Sequence, residues 1–337
     1  MYRLTAVLIV LFAPACTGVV HQPDSNNSST ADGVDTDKDA GGCLPLEGTV
    51  TTLARGTYCV TGDVIIPSEV TLDIPAGTTF IVMGRYHFGR DPALPDYEPP
   101  LIRGSGSIRA IGTAAEPIIF RGESATTGWF GLTVSHADAP VQLEYVTISD
   151  TYKDDHSQDS RIWRRGGALN SYLNKKGTLI RHCTFTNNRA YSVGGAVEIY
   201  GHGQWPDEAP VEITDSRFEG NSSECGVYRP SSSDLCGGGA LRLTQVSGNG
   251  ELVKLQGNVF RDNKARRTAE IDAFGGAIGG AQTSVTLGAG NVFEGNHADT
   301  GDGAVSCNHL PASGSIIKEI DPSATFISNL PDNGCGR

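Results

Sequence analysis

Gly194-Gly195-Ala196-Val197, then Val211-Glu212-Ile213-Thr214-Asp215-Ser216-Arg217-Phe218 with Asn221 just beyond, is the stretch on which the fold turns. The second run alternates apolar and polar residues, which puts Val211 and Ile213 on one face of a strand. After a bend, Phe218 can enter the same interior. Glycines permit a left-handed or closely approached corner, and alanine is small enough to sit inside it. One such unit is unremarkable, but the chain repeats it.

The corner recurs as Gly166-Gly167-Ala168-Leu169, Gly238-Gly239-Ala240-Leu241 and Gly275-Gly276-Ala277-Ile278, and in degenerate form as Asp302-Gly303-Ala304-Val305. Phe-x-x-Asn recurs as Phe185 with Asn188, Phe260 with Asn263, Phe293 with Asn296 and Phe326 with Asn329. Three of the four Phe-to-Phe steps are 33 residues, and the longer one spans Cys225 and Cys236. Self-similarity at a fixed period marks a solenoid, in which each coil buries its apolar face only against its neighbours. Short β-rich coils then stack with parallel strands about 4.8 Å apart. Asn188, Asn221, Asn263, Asn296 and Asn329 would stack their amides into a ladder. The fold class expected is therefore all-β, a right-handed parallel β-helix.

These alternating motifs, over roughly residues 166–330, resemble the polymorphic outer-membrane protein repeat of bacterial surface proteins and adhesins. The resemblance implies a β-helix passenger domain with a surface role. Members of that family usually carry a C-terminal autotransporter barrel, which this sequence does not show. Earlier stretches resemble the opening coils of bacterial parallel β-helix repeat proteins: 70–80, 112–120 and 128–132. Leu143-Glu144-Tyr145-Val146-Thr147-Ile148 aligns with the strand ending at Phe185, which places Thr151 where Asn188 stands. One β-helix domain is expected over 44–337.

The start of the chain reads as an address. One positive charge in Met1–Arg3 precedes the apolar run 4–12, too short to cross a bilayer, and then Ala13-Pro14-Ala15-Cys16. Small residues before a cysteine resemble a lipoprotein signal, giving a signal peptide over 1–15 and a lipid on Cys16 as membrane anchor in place of the barrel. The stretch 16–42, rich in Ser, Asn, Asp and Gly, is too polar to bury a core and reads as a disordered tether. Its Asp32, Asp35, Asp37 and Asp39 begin like a calcium loop, but Ala40 and Leu46 break the pattern.

Of the eight cysteines, Cys183 lies in an apolar strand and reads as a buried free thiol. With Cys16 set aside for lipid, neighbourhood pairs the remaining six as Cys43–Cys59, Cys225–Cys236 and Cys307–Cys335, which an oxidising compartment permits. No C-x-x-C pair, no ligand-like histidine spacing and no phosphate loop occurs, so neither a metal nor a cofactor is expected. The formal net charge of −12 argues against a nucleic-acid partner.

Chemistry would have to sit in the loops 84–102, 150–165 and 201–209, where carboxylates accompany aromatics. Asp154-Asp155 and Gly201-His202-Gly203 resemble elements of polygalacturonase-like glycosidases, in which carboxylates act as acid and base. The accompanying Asn-Thr-Asp and Arg-Ile-Lys elements are missing, and a lone tripeptide at a corner is weak. The sequence favours a non-catalytic surface protein that binds a glycan or a protein. The alternative is a carbohydrate-active enzyme, a polysaccharide lyase or glycoside hydrolase, using Asp154, Asp155 and His202.

Overall fold

The structure, a computed structural model, describes residues 42–83, 100–124, 128–153, 165–201, 209–224, 236–246, 253–267, 272–281, 283–306 and 316–332. Every strand pairing among them is parallel, and strands join only after the chain has passed once around the coil. One coil shows the plan. Leu169–Tyr172 lies in a first sheet, Thr178–Arg181 in a second, Thr184–Thr186 in a third, and Arg189–Ala190 in a short fourth. The Gly-Gly-Ala corner then delivers the chain to Val197–Tyr200, paired on Leu169–Tyr172 in the first sheet. The result is a right-handed parallel β-helix. The strand Thr57–Ile66 bends around two faces: 57–60 pairs with Thr79–Val82 of the third sheet and 64–66 with Ile102–Gly104 of the first. That strand is why hydrogen bonding links the first and third sheets without a break.

The interior follows the period-two pattern. Val211 and Ile213 are fully buried, whereas Glu212 between them is half-buried. In the third sheet Phe185, Phe218, Phe260 and Phe293 lie in register and are fully buried, with ring centroids 4.8 to 5.1 Å apart. Phe326 continues the stack at 4.9 Å. Towards the N-terminus Ile148 pairs with Phe185 on one side and Phe120 on the other, and Phe120 stacks on Phe80 at 4.4 Å. Parallel-displaced rings at the coil spacing add to burial wherever Phe follows Phe.

The asparagines bond through the stack. Asn221 Nδ2 donates to the Phe185 carbonyl of one neighbouring coil and to Asn263 Oδ1 of the other, at 2.9 Å each. Asn221 Oδ1 accepts from both the backbone N–H and the Nδ2 of Asn188, at 3.0 Å. Asn263 and Asn296 repeat this arrangement up to Asn329 Oδ1, and Thr151 bonds Asn188 Oδ1 at the other end. Each carboxamide thus uses both N–H groups and both acceptor sites without water. The residue before each member is left-handed: Asp150, Asn187, Gly220, Asp262, Gly295 and Ser328. That backbone turn aims the next side chain inward.

A second ladder stands at the bend between the second and third sheets. Asn258 donates through its backbone N–H and Nδ2 to Asn291 Oδ1, and accepts from the Ser216 N–H. Ser216 Oγ accepts in turn from the Cys183 N–H. The Cys183 thiol donates to the Leu143 carbonyl at 3.4 Å, as Asn258 Nδ2 donates to the Ile213 carbonyl at 2.8 Å. Cys183 is free and buried, and burial pushes its thiol up to about 12. A thiol that cannot ionise takes the place of an amide. At the N-terminal end Cys43 and Cys59 form a disulfide, with Cα atoms 5.5 Å apart. Cys16, Cys225, Cys307 and Cys335 lie outside the described residues, and of Cys236 only the backbone is described, in Cys236–Gly237.

At the corner the two glycines have different duties. Gly238 has φ of 70°, which a side chain strains, although Asp302 adopts φ of 55° in the degenerate copy. Gly239 is held by contact: a Cβ there would lie 2.1 Å from the Gly276 carbonyl oxygen of the next coil. Ala240 beside it is fully buried. Gly239→Ala should therefore destabilise the protein by about 3 kcal/mol through forced backbone movement. Gly301→Ala, whose Cβ would meet only Phe274 ring carbons at 3.4 Å, should cost less than about 0.5 kcal/mol. Urea unfolding midpoints of the two variants check the contrast.

Candidate functional site

The longest connections border the first sheet. The bends between second and third sheets take at most six residues, 112–117, and as few as one, Tyr145, and those from the third to the short sheet take two, as at 187–188, 220–221 and 262–263. The long segments 84–99, 154–164 and 225–235 lead towards first-sheet strands, and 202–208, 247–252 and 307–315 lead away from them. Loops that vary while a scaffold repeats are where binding and catalysis reside. The outer face of the first sheet is the candidate site.

Its residues are set by the corner motif. The residue after Gly-Gly-Ala-aliphatic points outward, which aligns Thr133, Asn170, Glu198 and Arg242 in one column. Although outward, none is more than 2% exposed. The neighbouring outward column carries Tyr172 and Tyr200, stacked at 4.7 Å, with His136 edge-on to Tyr172 at 5.8 Å. The Arg165 guanidinium lies 5.6 Å from the Tyr200 ring centre. These ring faces are largely occupied by one another and by Arg165.

Charge is concentrated under this surface. Glu198 Oε1 accepts from Arg165 Nη1 at 3.0 Å and from Thr244 Oγ1 at 3.1 Å. Arg242 Nε donates to Thr244 Oγ1 at 3.4 Å. Lys153 enters from the short sheet, in a column whose other members are Ala190, Ser223, Ala265 and Ala298. Its Nζ donates to the carbonyls of Arg165 at 2.9 Å and Gly166 at 2.8 Å, and to Thr133 Oγ1 at 3.5 Å. Burial brings the Lys153 ammonium down to about 7, against the opposing pull of Glu198. At the rim the Arg189 guanidinium lies 4.7 Å from the Tyr152 ring centre and pairs with Glu224. Burial raises the Tyr152 hydroxyl above its ordinary range, with Arg189 opposing and Glu224 adding.

Asp154, Asp155 and His202 lie outside the described residues. In the chain Asp154 and Asp155 follow Lys153 directly and His202 follows Gly201. Glycosidic acid–base chemistry needs two carboxylates across the bond. Among the described residues this cluster supplies one, Glu198. Lys153, Arg165, Asn170, Glu198 and Arg242 were not among the residues singled out from sequence. Their signal was present: Asn170, Glu198 and Arg242 each follow a Gly-Gly-Ala-aliphatic motif, the position that parallel stacking brings side by side. Among the described residues no group of His, Cys, Asp and Glu is arranged to hold a metal ion, and no helix is long and apolar enough to cross a membrane.

Corner motif, ladder and parallel stacking together define a parallel β-helix repeat protein. The family model of the Chlamydia polymorphic membrane protein repeat matches residues 182–199, one pass from the bend at His182 through Phe185, Asn188 and the Gly194-Gly195-Ala196 corner. No curated protein and no solved structure matches the chain.

Arg165 is the partner that keeps Glu198 compensated in a dry setting. Arg165→Met should cost about 3–5 kcal/mol, the range for stranding one member of a buried pair. Denaturation curves against wild type test this, and a loss below about 1 kcal/mol would show that Glu198 is carried by other groups.

Proposed function

We propose that this protein is an exported, lipid-anchored, non-catalytic surface protein with an adhesive or structural binding role. One observation carries the reading: a β-helix scaffold with a polymorphic membrane protein repeat keeps all its long connections around one sheet face. The repeat supports surface association. The stack supports a binding role, because a solenoid offers a long stiff surface on which variable loops select a ligand. That ligand is a surface glycan or a protein.

Two experiments test the parts separately. Cys16→Ser should shift the protein from the membrane fraction to the soluble one, since a lipid there supplies the attachment. Unchanged partitioning, with no lipid mass on Cys16, contradicts the anchor. For the ligand, the full chain is screened on arrays of glycans and host proteins, beside a variant with 202–208 replaced by Gly-Ser of equal length. Binding by the native chain that the variant loses supports the face. Binding that survives the exchange, or cleavage of a polysaccharide in a parallel degradation screen, contradicts this reading, and cleavage points to Asp154, Asp155 and His202.

A further inference from the structure

Lys153, Asn170 and Glu198 bring an amine, a carboxamide and a carboxyl group into one dry compartment. Asn170 lies between Thr133 and Glu198 in the outward column, paired with Thr133 on one side and Glu198 on the other. Parallel neighbours are separated by about 4.8 Å. Lys153 Nζ reaches Thr133 Oγ1 at 3.5 Å and also feels the Glu198 charge. The amine thus meets the outward column at Thr133, the direct strand neighbour of Asn170. The Arg165 and Gly166 carbonyls that hold Nζ belong to the corner leading into the Asn170 strand.

The chemistry of the groups agrees with their placement. Lys153, Asn170 and Glu198 are each no more than 1% exposed. Burial favours the neutral amine, and the value of about 7 leaves much of Lys153 unprotonated at neutral pH. The two carbonyls accept the two N–H bonds of a neutral amine, and its lone pair then meets only the long 3.5 Å contact with the Thr133 hydroxyl. Glu198 Oε1 is engaged by Arg165 and Thr244, while Oε2 has no hydrogen-bond partner among the described residues. A carboxyl oxygen so placed can take up and release a proton.

The geometry points to a self-catalysed isopeptide bond between Lys153 Nζ and Asn170 Cγ, with Glu198 as the proton carrier. The Nζ lone pair attacks Cγ. Glu198 Oε2 accepts a proton from Nζ and delivers it to Asn170 Nδ2. The Cγ–Nδ2 bond breaks, ammonia leaves, and the new Nζ–Cγ amide remains. No oxidant, reductant or co-reactant enters, and Glu198 ends in the protonation state in which it began. The bond clamps the segment 154–169 at its base and ties the coil ending at Lys153 to the next one. Such a cross-link restricts the unfolded chain as a disulfide does, without depending on redox conditions. This inference stands on the cluster itself and not on the proposed binding role.

The test is mass spectrometry of the full chain, purified, reduced, alkylated and digested. A branched peptide should join the Lys153 and Asn170 segments, lighter than their sum by one ammonia, about 17 Da. Glu198→Gln, shown to be folded by circular dichroism, should yield the two peptides separately. Should that variant fail to fold, the wild-type digest decides alone. Recovery of Lys153 and Asn170 only in unmodified peptides from wild type overturns the proposal, as does a bridge from Lys153 to Glu198 with loss of water. A Glu198→Gln protein cross-linked as fully as wild type overturns the role given to Glu198.

Discussion

A carboxamide of the Phe-x-x-Asn ladder is satisfied by the coils above and below it. Asn221 gives one N–H to the Phe185 carbonyl and the other to Asn263, and it accepts twice from Asn188. A register slip of one residue in any coil would break such a set and leave polar groups unpaired in a dry interior, where each costs about 1–3 kcal/mol. Apolar stacking alone would tolerate sliding, because hydrophobic burial has no direction. The ladder supplies the direction. With register set, the phenylalanines fall on phenylalanines and the alanines of the corners on alanines.

The departures from the pattern show what is essential. Ile148 replaces an aromatic in the phenylalanine column, and Thr151 begins the ladder with a hydroxyl. At the other bend Cys183 and Ser216 stand in line with Asn258 and Asn291. The ladder substitutes Thr151, Cys183 and Ser216 each still donate or accept across the same gap between coils. Shape is negotiable in these columns, and hydrogen-bonding capacity across the coil gap is not.

Much of the stack was legible because its signals repeat. Phe-x-x-Asn and Gly-Gly-Ala recur in phase, and a corner too tight for a Cβ at Gly239 admits little besides glycine. The second ladder was harder to see, since Cys183, Ser216, Asn258 and Asn291 share a position but not a residue type. The charged cluster was harder still. Glu198 and Arg242 occupy positions that alternation assigns to solvent, and nothing local announces that they are covered. Lys153 stands where its column otherwise has alanine and serine, a contrast visible only once the coils are aligned. The segments holding Asp154, Asp155 and His202 carry no repeat at all, so no neighbouring coil constrains their reading.

The central claim is that buried asparagines hold the stack in register, and Asn263 tests it most directly. Asn263→Leu and Asn329→Leu are compared with wild type in denaturant under non-reducing conditions, so that Cys43–Cys59 stays closed. Asn263→Leu removes the acceptor of the Asn221 N–H groups and the donor to the Phe218 carbonyl, and should cost about 1–3 kcal/mol per stranded group. Asn329 belongs to the last described ladder position, in a coil with fewer interfaces to lose, so Asn329→Leu should cost clearly less. Equal losses, or no loss at either site, would contradict the account.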